Sequence, residues 1–550
     1  MKRLLTVMLV VFVMFALVIT PGSTFGKSGS LKSIDKNVNR IDDDLDARID
    51  KLQTDEKIPV IAIFASTGFE AGKIHSLSEN ALTAVEARAG KLETKYKYEN
   101  IPARALNLTK EQILALSQES SLVKLQFDGE VHAFLGTSSN YFGATKARTD
   151  FGVTGNLDGN LTSYTKNDVV IAVIDTGIDT GHVDLDGGKV IAWKDWVNSR
   201  TTPYDDNGHG SHVSGIIAGT GEGNSSYKGV APGAALIGLK VLNSAGSGSI
   251  SNVDAAIDWA ITNKSLYNIR VINLSLGISG SSDGNDSTSQ LVNQAFTNGI
   301  IPVVAAGNEG PDSYTIGSPG AAANAITVGA QADPGEGGFF QAYFSSRGPT
   351  ADERIKPDIS APGYNISSVK AGTSSSYVAY SGTSMATPFV AGTVALLLSA
   401  KSSLTPELVK SILTSTAIDW GASGQDNDYG FGRLQAYEAI KSAGGWSGTG
   451  PAVSQHAYFT GSLSGAGQNN YHSFSVTSTT FPIAITFLQN SSSVDFDIYL
   501  INPSGVQVAS AYGTLRQETL TYQPTVTGTY QLRVYSYSGS GGYYFDLSDN

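Results

Sequence analysis

From Asn167 onward the chain repeats one pattern: a short, almost wholly apolar run that stops at Gly, Asp, Ser or Asn, then a stretch with helical spacing. The runs are "DVVIAVIDTG", "AALIGLKVL", "IRVINLSLG", "IIPVVAAGN" and "AITVGA"; "HVSGIIAG", "SNVDAAIDWAI" and "SQLVNQAFTNG" are among the stretches between them. A strand that is apolar on both faces must be covered on both. Such strands alternating with helices predict an α/β fold with a parallel sheet between helical layers. Chemistry in these sheets collects at the carboxyl ends of the strands. Asp175, Ser275 and Asn308 all fall at such ends.

Different textures flank this region. "MKRLLTVMLVVFVMFALVITPGSTFG" sets two cations before an apolar run and small residues after it, which reads as a secretory signal over 1–26. "KIPVIAIFAS" then reads as a strand and "NALTAVEARAGKLETKY" as a helix; a strand, a helix opened by Thr109 with Gln112, and a closing strand or hairpin follow. "LGTSSNYFG" reads as a polar linker. After "KSAGGWSGTGPAVSQ", period-two patterns separated by turn signals predict an all-β sandwich or jelly roll. The expected boundaries are 27–136 for the N-terminal α+β unit, 137–445 for the α/β domain, 446–455 for a linker and 456–550 for the β-domain.

The 550 residues carry a net charge of −12 and no basic block interleaved with aromatics, so nucleic acid is not an expected partner. Cysteine is absent, which excludes disulfides and thiolate-bound zinc from an exported protein. Past the signal, no apolar run reads as long enough and free enough of Gly and polar residues to span a bilayer, so no stable membrane anchor is expected.

"YSGTSMATPFVAG" places Ser384 where a turn of small residues enters an apolar helix. A serine there can cap the helix, or it can be a nucleophile held by rigid backbone amid positive partial charge. The second role needs a histidine base and an acid to hold that base. Of seven histidines, only His182, His209 and His212 lie in the α/β region. His209 and His212, three apart, could share a helix face, but no third metal ligand accompanies them. Asp175 closes an apolar strand, which fixes and desolvates its carboxylate. Asn308 in "VVAAGNEG" offers an amide N–H that could stabilise an oxyanion without titrating.

Together "AVIDTGID", "GHGSHVSG", "VINLSLG", "VVAAGNEG" and "SGTSMATPFVAG" resemble the signature segments of the subtilisin family of serine proteases, over roughly Asn167 to Ala443. The resemblance implies that Asp175 orients the base, His209 is the base and Ser384 the nucleophile, with His212 structural. It implies an oxyanion hole of the Asn308 side chain and the Ser384 N–H. Ser275, Leu276 and Gly277 would pair with the substrate backbone, and with Ala305, Ala306 and Gly307 would wall the pocket for the side chain before the scissile bond. These walls are small and uncharged, and "TIGSP" adds no acid, so large apolar side chains should be preferred with broad tolerance. The N-terminal unit resembles the ferredoxin-like propeptides of these proteases, folding assistants and inhibitors of their own enzymes, with cleavage expected after Leu135. No cofactor is needed for the chemistry. Structural calcium is an expectation at Asp184, by resemblance, and at Asp495 and Asp497 of "VDFDIYLINPSG". The implied product is a secreted monomeric endopeptidase acting on polypeptides.

Two rival readings exist. "GSSDG" (280–284) fits the elbow of an esterase, but the histidines downstream of it, His456 and His472, lie in the β-domain. An inactive adhesion protein would be expected to have lost a member of the triad.

Overall fold

The computed structural model describes residues 39–41, 43–49, 52–53, 55–65, 76–97, 103–127, 135–160 and 163–549. These fall into two compact units, one ending at residue 127 and the other beginning at residue 135. The expected signal, His75 and His132 lie outside the described residues.

After a short helix, Asp43–Ile49, the N-terminal unit runs strand, helix, strand, strand, helix, strand: Lys57–Phe64, Ser76–Ala89, Glu93–Lys97, Ala103–Thr109, Lys110–Ser117 and Leu122–Phe127. Its sheet is antiparallel, with Ala103–Thr109 and Leu122–Phe127 on either side of Lys57–Phe64 and Glu93–Lys97 at the edge. This is the expected ferredoxin-like arrangement. The helix start is also as read: Gln112 N–H donates to Thr109 Oγ1 at 3.3 Å, and Thr109 N–H to Gln112 Oε1 at 3.1 Å. The helix over "NALTAVEARAGKLETKY" needs correction. It stops at Ala89, Gly90 takes φ +79°, and "ETKYK" becomes a strand on Ala103–Thr109. Pairing with a later strand outweighs the local helical composition.

In the larger unit a parallel sheet holds β1 (Val170–Asp175), β2 (Val190–Asp195), β3 (Ala235–Lys240), β4 (Ile269–Leu274), β5 (Ile301–Ala305), β6 (Ile326–Gln331) and β7 (Ile359–Pro362). Its order is β7-β6-β5-β4-β1-β3-β2. Every residue of β1, β3, β5 and β6 is buried, as two-sided cover requires. One apolar layer packs Ile171, Val173 and Val328 against helical residues such as Val213 and Val394. The other packs Val170, Ile174 and Val304 against Ile257 and Val292.

"LGTSSNYFG" is not a linker. Residues 135–141 form a helix, α1 (Leu135–Tyr141), that belongs to this unit. Ser138, Ser139 and Phe142 are buried, and the Phe142 ring lies 5.8 Å from Phe339 and 5.9 Å from Phe389. The Ser138 hydroxyl donates to Asp333. The partners are about two hundred residues away in sequence, so polarity alone misleads. The bilayer reading is also corrected. Thr383–Ala400 is long and apolar enough to cross a membrane by length and composition, but 83% of it is buried inside the unit. Its hydrophobicity serves the core.

The C-terminal region is the expected sandwich of two antiparallel four-stranded sheets. It is packed directly on the α/β layer. Arg347 Nη1 binds Asp428 Oδ1 at 3.0 Å while Nη2 donates to Gln517 of the sandwich. Gln341 N–H donates to Thr486 Oγ1 at 3.0 Å, and Tyr544 OH to Asp428 Oδ2 at 3.0 Å. Phe481 joins the α/β core itself.

At this junction Asp426 Oδ1 accepts the N–H groups of Asp428 and Tyr429, while Oδ2 is buried without a donor. Burial, then the charges of Asp428 and Asp546, pushes the Asp426 carboxyl up to about 8. A folded-state pKa above the unfolded value gives stability that is complete below the unfolded pKa and lost as pH rises through the folded one. Asp426→Asn should therefore raise the melting temperature by at least about 2 °C near pH 9 and leave it unchanged near pH 4. Thermal scans at the two pH values check this.

Candidate active site

The site is built by neighbouring strands that end at one edge of the sheet. Asp175 is the last residue of β1, Ser275 follows β4, and Asn308 lies just beyond β5; β5, β4 and β1 are consecutive in the sheet. Two helices bring the remaining groups: α2 (His209–Ala218) begins at the histidine, and α3 (Thr383–Ala400) carries Ser384 at its second residue.

Asp175 and His209 meet because two backbones touch. A Cβ on Gly210 would lie 2.2 Å from Gly177 O, and one on Gly177 would lie 2.1 Å from Tyr204 O, so only glycine fits in "DTG" and "GHG". Gly210 N–H donates to Thr176 Oγ1 at 2.8 Å, which locks the two turns together. The result is a His209 Nδ1–Asp175 Oδ1 hydrogen bond of 2.8 Å. Thr176 N–H donates to the same Oδ1 at 2.7 Å, and Oδ2 is buried with no donor. Asp205 completes the support: it accepts from Gly208 N–H at 2.8 Å and Ser211 N–H at 2.9 Å, so its charge sits at the N-terminus of α2. Burial alone would lower the His209 pKa, but the Asp175 charge and hydrogen bond, helped by Asp205, carry it above its ordinary value.

Ser384 does not cap its helix. The capping position is Gly382, which has no side chain to offer. The Ser384 hydroxyl donates instead to Ser275 O at 3.0 Å, and Ser275 Oγ returns a bond to Ser384 O at 2.9 Å. Asn273 Nδ2 donates to Ser275 Oγ at 2.9 Å, so the Ser384 backbone is tied to the end of β4. In unliganded enzymes the serine–imidazole bond is often unmade, and here the hydroxyl points to a carbonyl.

Asn308 is oriented by Thr383, whose N–H and hydroxyl both donate to Asn308 Oδ1, at 2.9 and 3.0 Å. This leaves Nδ2 as the end that faces outward. A Cβ on Gly382 would lie 3.6 Å from both Asn308 Nδ2 and Ser384 N, so these two donors flank one small space. As a first-turn helix N–H, that of Ser384 has no carbonyl four residues back to bind. The arrangement sets two N–H donors beside the Ser384 side chain, where an oxyanion could be held.

Of the residues expected to wall a substrate pocket, Ala305 and Ala306 are buried, and Ala306 packs on Ile316 and Ala321. A Cβ on Gly277 would meet Ser318 O at 3.0 Å, which shows how close the two walls stand. Leu276 is half-buried against the second apolar layer. Gly307, φ +112°, turns the chain outward toward Asn308. Sequence reasoning missed Thr383, and it named Ser275 for pairing with the substrate backbone but not for the hydroxyl that binds Ser384 O. Glu309, also not singled out, accepts the Gly280 N–H at 2.6 Å.

The other histidines among the described residues make structural contacts. His212 Nε2 meets the carbonyls of Ile366 and Val378, each at 3.0 Å, and burial followed by the His209 charge lowers its pKa to about 3. His182 lies against Ser376 O at 3.0 Å. His456 pairs with Asp546 and His472 with Tyr543, which leaves the esterase reading without a base near "GSSDG".

Calcium fits the described residues poorly. No three His, Asp or Glu side chains among them gather to hold a metal. Asp184 receives the Tyr377 hydroxyl and the Gly223 N–H, both at 3.1 Å, where a cage would need six to eight oxygens. Asp497 accepts from Tyr499 OH at 3.1 Å; with Asp495 it acts on buried Glu518, whose carboxyl rises to about 8 through burial first and these charges second.

A family model described as "Subtilase family" matches residues 166–432, a "Bacterial pre-peptidase C-terminal domain" matches 468–536, and a "Tk-SP N-propeptide domain" matches 36–112. The chain is 37% identical to "Serine protease AprX" of Bacillus subtilis over 421 residues, which is 71% of this chain and 89% of that protein. It is 35% identical to "Subtilisin E" of the same organism over 65% of this chain and 85% of the relative. To "Subtilisin" of Bacillus pumilus it is 41% identical over 47% and 87%. Among solved structures, "Sphericase" aligns over 54% of this chain and 99% of its own at 34% identity, with a TM-score of 0.44.

Proposed function

The chain belongs to the subtilase family of serine endopeptidases, and from that premise we propose an extracellular, self-processed enzyme that cuts polypeptides after large apolar side chains. The observation that supports the reading is the 2.8 Å bond from His209 to Asp175, at the end of a strand whose neighbours lead to Asn308 and to Ser275, the residue whose carbonyl accepts the Ser384 hydroxyl.

In the proposed reaction the Ser384 hydroxyl turns from Ser275 O to His209 Nε2 and attacks the scissile carbonyl. His209 takes the proton, and the charge it gains is held by Asp175. The carbonyl oxygen becomes negative in the space between Asn308 Nδ2 and the Ser384 N–H. His209 then protonates the leaving amine, and water repeats the sequence to release the acyl group. The substrate lies extended along Ser275, Leu276 and Gly277, where main-chain pairing accepts any sequence. The small walls of Ala305, Ala306 and Gly307 leave room for a large apolar side chain. A fluorophosphonate should label Ser384 stoichiometrically and fail to label His209→Ala; labelling elsewhere, or none, overturns the proposal.

Asn308→Leu removes one anion donor and keeps the volume. It should lower kcat by about 10²–10³-fold with little change in KM, because the lost bond matters only once the oxyanion forms. Steady-state kinetics on a chromogenic peptide check this.

The N-terminal domain is matched as a propeptide, which supports a zymogen. Cleavage after Leu135 would fall at the first residue of α1. N-terminal sequencing of the secreted enzyme should then find a start at or near Gly136, leaving Ser138 and Phe142 in place; a start beyond Phe142 sinks this part of the proposal.

A further inference from the structure

Arg433, in "YGFGRLQA", has a fully buried side chain. Its backbone exchanges hydrogen bonds with Ile418, each 2.8 Å. The guanidinium lies among aromatic rings, its Cζ 4.0 Å from the centroid of Phe339, 5.0 Å from Phe142 and 5.3 Å from Trp420. None of its nitrogens meets an acceptor among the described residues. The Trp420 indole N–H, also wholly buried, lacks an acceptor too, and so does the buried hydroxyl of Ser139, one turn before Phe142.

A guanidinium has five N–H donors in its plane and no acceptor. Aromatic faces attract its charge but take none of those protons. Buried donors in native proteins nearly always have a partner, and an unpaired buried charge is among the costliest features a fold can carry. The carboxylate whose charge acts on Arg433 is Asp333, and its oxygens accept from the Gly335 N–H at 2.7 Å and from the Ser138 hydroxyl. Burial lowers the guanidinium to about 9, as expected of a cation short of counter-charge. Water could accept some of these protons, but it brings no charge. A small anion supplies both.

We propose that Arg433 and Trp420 frame a buried site for a small monovalent anion of chloride size. The anion completes the hydrogen bonding of the guanidinium and ties α1, through Ser139 and Phe142, to the strands behind it. The site stands apart from the catalytic groups, so its occupancy governs stability and not the chemical step. A ligand that binds only the folded state raises the folded-to-unfolded ratio by 1 + [L]/Kd.

The test uses the full chain carrying Ser384→Ala against self-digestion, purified and crystallised in sodium bromide. An anomalous bromide peak within about 3.5 Å of both an Arg433 nitrogen and Trp420 Nε1 is expected. Water alone, or no density there, overturns the proposal. In solution, replacing bromide with gluconate at equal ionic strength should speed thermal unfolding severalfold, because gluconate is too large for an enclosed site. Trp420→Phe keeps the ring and removes one donor, so it should need several times more bromide for the same protection. A halide effect absent from the parent protein, or unchanged in Trp420→Phe, also overturns it.

Discussion

Ser384→Ala should lower kcat by about 10⁶-fold, the scale on which members of such a triad act as a unit. The loss follows from the geometry. The Ser384 hydroxyl is held by Ser275 O, and alanine would remove it while leaving the Ser275–Asn273 network intact through the backbone carbonyl. Substrate binding along Ser275–Gly277 should persist, so KM should change little. His209→Ala should cost about as much, and the double variant scarcely more, because neither group works without the other. A residual acceleration of about 10³–10⁴-fold over water should remain, owed to Asn308 Nδ2, the Ser384 N–H and substrate positioning. Active-site titration before the kinetic assay is essential, since a trace of wild-type enzyme would mask so large a fall. Ser384→Ala should also remain full-length during export. A variant within tenfold of wild type would show that the nucleophile lies elsewhere.

Much of this was legible in the sequence because glycine and apolar runs have few structural solutions. A run such as "VVIAVID" can be satisfied only by burial on both faces, which fixes its place inside the sheet. Gly177 and Gly210 advertise the contact that joins Asp175 to His209, since no side chain fits at either position. What stayed hidden depends on partners far away in the chain. "ETKYK" becomes a strand only because Ala103–Thr109 pairs with it. "LGTSSNY" becomes a packed helix only because Asp333, Phe339 and Phe389 are folded against it. Thr383 reads as a small turn residue, yet it selects the outward end of the Asn308 amide, and Ser275, read only as a strand-end residue that pairs with substrate, also binds the Ser384 carbonyl through its hydroxyl. Arg433 gave no signal at all, because a lone arginine is ordinarily at the surface and only the fold shows it enclosed.

Asp175→Ala should lower kcat by about 10⁴-fold, less than loss of the base but far more than loss of a remote support. Without the carboxylate, His209 is free to rotate and to hold its proton on either nitrogen, and the imidazolium formed during attack loses its counter-charge. Asp175→Asn should do better than Asp175→Ala, for a reason specific to this site. The oxygen that accepts from His209 Nδ1 also accepts the Thr176 N–H, at 2.8 and 2.7 Å. An asparagine amide turned the other way would point N–H at N–H. The Thr176 N–H therefore holds the asparagine oxygen toward His209 and preserves the productive tautomer, so the Asn variant loses charge while keeping orientation. Both variants should move the acid limb of the pH–rate profile downward. The carboxylate is what raises His209, and the base acts only when neutral, so removing the charge keeps it neutral to lower pH. The same linkage gives the sign for stability. The raised histidine contributes most below its unfolded pKa and loses that contribution as pH rises through the folded value, so both variants should be destabilised in acid more than in alkali. Kinetics from about pH 5 to about pH 10, with thermal scans over the same range, separate these effects. An Asn variant as slow as the Ala variant would mean that charge alone sets the rate; an Ala variant within 100-fold of wild type would remove Asp175 from the reaction.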